Sequence, residues 1–185
     1  MSGNVDNALL FLVNSLFGVY LAILILRIAL QLVHADFFNP LAQFIWRATQ
    51  PVLQYPARYI PRWRNLDVAA LLFLWLLAFI NIRLDVTILG WSIGIAPSIY
   101  IAILKLFVLS LNLYSFCILA QAIMSWVGPN AHGPANSLLW SINEPILRPV
   151  RRYIPPLGGI DISPLIVILS LQVLARLIPL HYLLR

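Results

Sequence analysis

Two stretches of the chain say nearly the same thing: NPLAQFIWRATQPVLQYPARYIP at residues 39–61 and GPANSLLWSINEPILRPVRRYIP at residues 133–155. Sliding the sequence by 94 residues, the offset from Pro40 to Pro134, also brings Trp46 onto Trp140, Pro51 onto Pro145 and Leu53 onto Leu147. Arg58-Tyr59-Ile60-Pro61 falls on Arg152-Tyr153-Ile154-Pro155, and Asp67 falls on Asp161. Apolar coincidences are cheap in a greasy chain. A matched Arg-Tyr-Ile-Pro with matched Pro, Trp and Asp is not, and such a period marks a duplicated unit.

Outward from these stretches the chain turns apolar on both sides. Of its 185 residues 62% are hydrophobic and 10% charged, with a mean hydropathy of +0.91. Soluble domains carry about 25% charged residues, so the surplus apolar surface must face lipid or protein. Roughly 20 residues at about 1.5 Å rise cross a bilayer core. Four runs qualify: Leu9 to Val33, Val68 to Ile82, Ile103 to Val127, and Ile162 to Leu184. The first is too long for a signal peptide's apolar core, lacks the basic start of one and is expected to remain as a span.

The reading is therefore an all-α membrane protein of two tandem repeats, 1–84 and 103–185, each a pair of spans joined by an amphipathic loop. Residues 85–102 are apolar but punctuated by Gly90, Gly94 and Pro97, which weaken a continuous helix. They are read as an interfacial or re-entrant connector, with a fifth span as the competing topology. An even number of spans per repeat makes the halves parallel, related by a pseudo-twofold axis along the membrane normal.

The charges set the orientation. There are 12 basic and 6 acidic residues; Arg47, Arg58, Arg62 and Arg64 fall in the first loop and Arg148, Arg151 and Arg152 in the second. The positive-inside rule puts both loops in the cytoplasm and both termini outside. Because the arginines lie between apolar runs, the net charge of +6 is read as topology and not as a nucleic-acid footprint.

Each loop reads as two pieces. Asn39-Pro40 suggests a cap and an N1 proline, after which Leu41, Phe44, Ile45 and Ala48 recur at helical spacing opposite Gln43, Arg47 and Gln50. Pro134 opens the equivalent helix, with Leu138, Leu139 and Ile142 apolar, and Trp46 and Trp140 suit headgroup depth. The second pieces, Pro51 to Pro61 and Pro145 to Pro155, are proline-bounded and basic.

At these residues the chain resembles the bacterial YggT (YlmG-related) family. The resemblance is carried by Leu26-Arg27-Ile28, Asp36-Phe37-Phe38-Asn39-Pro40, Thr49-Gln50-Pro51, Glu144-Pro145-Ile146-Leu147-Arg148-Pro149-Val150-Arg151-Arg152 and Gly158-Gly159-Ile160-Asp161. The first half departs from the pattern, with Arg64-Asn65 where the second has Gly158-Gly159 and Gln54-Tyr55-Pro56 where it has Arg148-Pro149-Val150. The resemblance implies a small inner-membrane protein with no common enzymatic activity. It brings links to osmotic-stress tolerance and potassium uptake, to division and envelope organisation, and in chloroplasts to cytochrome-complex assembly.

Candidate residues fall into four groups. Arg47, Arg58, Tyr59, Arg148, Arg151, Arg152 and Tyr153, with Trp46 and Trp140, form basic-aromatic surfaces suited to anionic head groups or an acidic partner segment. Arg27, Gln31, Gln121 and Ser125 are intramembrane polar residues; Arg27 either snorkels to the head groups or makes a structural hydrogen bond, and a functional cluster of the four is the sharper reading. Asp67 and Asp161 precede spans and are expected to cap them. Lys105 and Arg176 read as interfacial anchors, and Asn14, Asn81, Asn112 and Gln172 as glue between helices.

No enzyme constellation emerges. His34, His132 and His181 are scattered, the lone Cys117 forms no internal disulfide, and no set has metal spacing. The expectation is a non-enzymatic inner-membrane organiser or assembly factor without cofactor, binding anionic lipid and an inner-membrane or cytoplasmic protein, with self-association as a further partnership. The alternative is a small-ion or osmotic-stress transport component working as an oligomer.

Overall fold

Asn39 accepts the Leu41 amide on its side chain and Pro40 sets the first helical φ, so an amphipathic helix starts where the cap signal stands. In the computed structural model, which describes residues 2–61, 66–127, 133–154 and 161–181, every long element is helical. They are α1 (Ser2–Leu32), α2 (Pro40–Leu53), a 3₁₀ turn (Pro56–Arg58), α3 (Val68–Ile88), α4 (Ile95–Val127), α5 (Pro134–Tyr153) and α6 (Ser163–Leu177). Arg62, Arg64, Asn65, His132, Pro155, Gly158, Gly159, Ile160 and the end of the fourth run at Leu184 lie outside the described residues.

Helices α1, α3 and α4 are long and apolar enough to cross a membrane. The apolar α6 has 15 residues, about 22 Å at about 1.5 Å per residue. It stops at Ile178-Pro179, short of the run that hydropathy alone outlines. The stretch 85–102 is not a connector of its own: Asp85 to Ile88 finish α3 and Ile95 onward opens α4, leaving 89–94 between them. Pro97 is tolerated because it stands in the first turn of α4, where no intrahelical donor is required. Gly90 carries the turn at φ 66°, with the Trp91 amide donating back to the Val86 carbonyl.

The prolines do not divide the loop helices either. Helix α2 runs through Pro51, and α5 runs through Pro145 and Pro149. All three lie on exposed positions, where the carbonyls left without an intrahelical donor can bond water instead.

Packing follows the repeat. Helix α1 packs on α3 as α4 packs on α6, and α2 meets α5 at the end of the bundle where α1 and α4 finish. There Ala42 and Ile45 join Leu138 and Ile142 beneath Leu30, and the Asn39 side chain donates to the Pro134 carbonyl. Both basic segments thus share one end. The expected twofold is broken elsewhere: α3 lies closely along α4, whereas α6 makes no comparable packing on α1.

Candidate polar nodes and the basic end

Arg27 does not snorkel. It sits on the last third of α1 with 4% exposure and donates from Nη1 to Thr49 Oγ1 at 2.7 Å and from Nη2 to Gln50 Oε1 at 3.1 Å. The Asp67 carboxylate lies 3.6 Å away, and the guanidinium is 3.9 Å from the centroid of the Trp46 ring. The charge is stacked, hydrogen-bonded and neutralised, which is what a buried cation requires. Asp67 also accepts the Ala70 amide, so it caps α3 while answering Arg27. One residue thereby ties α1, α2 and the start of α3.

The second half builds the same node from different parts. Gln121 stands in the aligned place of Arg27 and accepts a 2.8 Å hydrogen bond from Asn143, which stands in the place of Thr49. The cation comes instead from Arg151, whose aligned position in the first half is Ala57. Arg151 donates to Glu144 and to Asp161, each at 2.8 Å, and lies 5.4 Å from the Trp140 ring. Asp161 in turn accepts the Ser163 amide at the head of α6. Burial of the Asp161 carboxyl works to raise its pKa, but the bonds from Arg151 and Ser163 outweigh it and hold the group below the usual carboxylate range.

The swap leaves a space. Gln121 is shorter than arginine, and a cavity of about 180 Å³ opens among Gln121, Ser125, Asn136, Trp140, Arg151 and Asp161. The corresponding space beside Arg27, Gln31 and Trp46 holds about 10 Å³. Arg27, Gln31, Gln121 and Ser125 therefore do not form one cluster; they divide between two equivalent nodes. Arg151, read from sequence as a docking cation, faces inward, and Trp46 and Trp140 serve the nodes as ring platforms.

The exposed surface at this end carries Arg47, Arg58 and Tyr59 from the first half and Arg148, Arg152 and Tyr153 from the second. The two loop helices differ in what else they show. Helix α2 exposes Leu41, Phe44 and Val52, with Tyr55 just beyond it, while α5 exposes Ser137, Trp140, Pro145 and Pro149 around its arginines.

A third polar group went unread in the sequence. At the other end of the bundle Asn14 of α1 donates to Asp85 of α3 at 2.9 Å, and Lys105 of α4 donates to Asn14 at 2.7 Å and to Asp85 at 3.2 Å. All three side chains satisfy one another, with Asp85 fully buried. Lys105 is thus an interhelical tie across the two halves and not an interfacial anchor. The available signal was the chain's single lysine, set within an apolar run, and an aspartate close to Arg83 near the end of another. Asn112 accepts from Gln172 at 3.2 Å, so those amides join α4 to α6 as expected of glue.

The CCB3/YggT family model matches residues 6–89 and again residues 99–183, once on each half. An uncharacterised protein of Pseudomonas aeruginosa is 36% identical over 175 residues, covering 94% of this chain and 89% of that protein. The uncharacterised protein YggT of Escherichia coli K12 is 38% identical over 169 residues, covering 91% and 87%. A chloroplastic YlmG homolog of Arabidopsis thaliana is 34% identical over 62 residues, 34% of this chain and 24% of its own length. No solved structure matches the chain significantly.

Proposed function

The chain belongs to the CCB3/YggT family, and we propose that it is a non-enzymatic organiser of the bacterial inner membrane whose two loop helices dock anionic lipid and a partner protein. In this reading α6 makes a fourth crossing with help from its flanks, both termini are periplasmic, and the basic end faces the cytoplasm. The observation that carries it is the shared end: α2 and α5 are packed together, each braced from below by a buried or half-buried cation node, with Arg47, Arg58, Arg148 and Arg152 left outward. The bracing would be superfluous for arginines that served topology alone.

The division of labour follows from the exposed faces. Helix α2, with Phe44, Leu41 and Val52 outward, is suited to lie in the interface with its apolar side in the acyl boundary. Helix α5 offers arginines spaced by prolines, suited to head groups or an acidic segment, each basic residue contributing about 1 kcal/mol near an anionic surface.

The test compares wild type with Arg148→Ala/Arg152→Ala in nanodiscs mixing phosphatidylglycerol and phosphatidylcholine. Arg151 is left intact because its role is internal. Enrichment of phosphatidylglycerol around the wild type, together with partner recovery from native membranes, should fall in the variant. Unchanged enrichment and unchanged recovery would sink the docking reading.

A further inference from the structure

The two nodes differ in charge as well as in fullness. In the first, Arg27 faces one carboxylate among the described residues, Asp67, and Gln50 stands where the second half has Glu144. In the second, Arg151 faces two carboxylates, Glu144 and Asp161, each at 2.8 Å. Among the described residues neither Arg148 nor Arg152 pairs with them. The second node therefore holds one carboxylate more than it has cations, beside the cavity of about 180 Å³ that is nearly closed in the first.

The cavity also keeps donors in reserve. Gln121, 6% exposed, lines it and accepts from Asn143 on Oε1, and its Nε2 has no partner among the described residues. A donor this far from bulk water calls for an acceptor. Arg151 turns Nε to Asp161 and Nη1 to Glu144, and its Nη2 has no partner among the described residues. Trp140 completes the wall: its ring is half-exposed and holds Arg151 at 5.4 Å, where Trp46 holds Arg27 at 3.9 Å. A ring face left partly open attracts a further cation.

An occupant must therefore bring a cation for the carboxylates and the ring, and an acceptor for the amide and the guanidinium. Position narrows it further. The cavity lies among the last turns of α4, helix α5 and the head of α6, where the apolar helices end; in a membrane this is head-group depth. Ile118, Ala122 and Pro164 make its apolar side, and the exposed Ile123 and Leu165 adjoin them on the same helices. At about 180 Å³ it admits a small zwitterionic group. Pockets for drug-sized ligands run to about 300–1,000 Å³.

We propose that this cavity seats the head group of one phosphatidylethanolamine molecule, its ammonium between Asp161 and the Trp140 ring and its phosphate accepting from Gln121 Nε2 and Arg151 Nη2. The acyl chains then run along the exposed apolar sides of α4 and α6, past Ile123 and Leu165. A choline head lacks the N–H donors for the carboxylate, and a glycerol head brings no positive charge. The first half has no such seat, because the Arg27 guanidinium fills it. The proposal rests on the chain lying in a membrane and not on the outward surface of Arg148 and Arg152.

Native mass spectrometry of the full chain in detergent micelles, titrated with phosphatidylethanolamine or phosphatidylcholine of the same acyl chains, tests the site. One phosphatidylethanolamine should bind about tenfold more tightly than phosphatidylcholine. Gln121→Arg, which fills the cavity as Arg27 does in the first half, should erase that preference, and Asp161→Asn should weaken it. Arg148→Ala/Arg152→Ala should leave it in place. Equal binding of the two lipids by the wild type, a preference indifferent to both Gln121→Arg and Asp161→Asn, or a preference lost with Arg148 and Arg152 would each overturn the proposal. So would equally tight binding of soluble phosphoethanolamine, which would assign the cavity to a free ligand.

Discussion

The first half puts its cation on a spanning helix, whereas the second puts it on the loop helix. Arg27 reaches down from α1 into a dry node with Trp46, Thr49, Gln50 and Asp67. Arg151 folds back from α5 onto Trp140, Glu144 and Asp161 in a node with side chains about 30–40% exposed. The ring and the capping aspartate stay in place while the positive charge moves. Both halves place a cation under the loop helix at the head of the following apolar helix, each by its own route of delivery. The routes differ in burial, and burial sets the energy: breaking a buried pair leaves a stranded charge at a cost of about 3–5 kcal/mol, while exposed pairs contribute about 0.2–1 kcal/mol.

Breaking the comparison at its dry end should have the largest effect. Arg27→Met leaves Asp67 buried without its counter-ion and is expected to lower stability by about 3–5 kcal/mol, read by reversible unfolding in mixed micelles. Arg151→Met should cost about 1 kcal/mol or somewhat more in the same assay, since water reaches the node and Glu144 and Asp161 can hydrate. A larger loss for Arg151 than for Arg27 would reverse the assignment.

The comparison can also be sharpened by transplant. Gln121→Arg with Arg151→Ala rebuilds the first-half arrangement in the second half, filling the cavity of about 180 Å³ with a guanidinium beside Trp140 and Asp161. The pair should recover most of the loss caused by Arg151→Ala, a coupling of about 1 kcal/mol in a double-mutant cycle. Simple addition of the two single effects would mean that the nodes are not interchangeable.

The smallest effect is in acid. Asp161 has a folded pKa below its unfolded value, so its contribution is complete above about pH 4 and disappears as pH falls through the lower, folded value. Asp161→Asn should remove that part of the acid dependence and leave stability near neutral pH to change only modestly. An acid limb of equal steepness in the variant would assign the dependence elsewhere.

Much of this design was legible because the repeat is written in residues that an apolar chain rarely matches by accident: Pro40 and Pro134, Trp46 and Trp140, Asp67 and Asp161. The span ends were less legible. Hydropathy ends a run at the first polar or glycine residue, but Arg83 and Asp85 are carried within α3 because the neighbouring helices supply their partners. Prolines in α5 read as breaks, yet on an exposed face the carbonyls they leave without a donor can bond water, and the helix runs through them. The roles of Arg151 and Lys105 lay beyond reach for one reason. Both depend on which helices meet, and Asn14, Asp85 and Lys105 come together from positions 71 and 91 residues apart.

The account rests on both loop helices lying on the same face of the membrane. Single cysteines replacing Arg58 and Arg152 in the Cys117→Ser background, treated with a membrane-impermeant maleimide in inverted vesicles and in spheroplasts, test this directly. Labelling of both sites in inverted vesicles and of neither in spheroplasts is the predicted result; labelling of the two from opposite sides would contradict it.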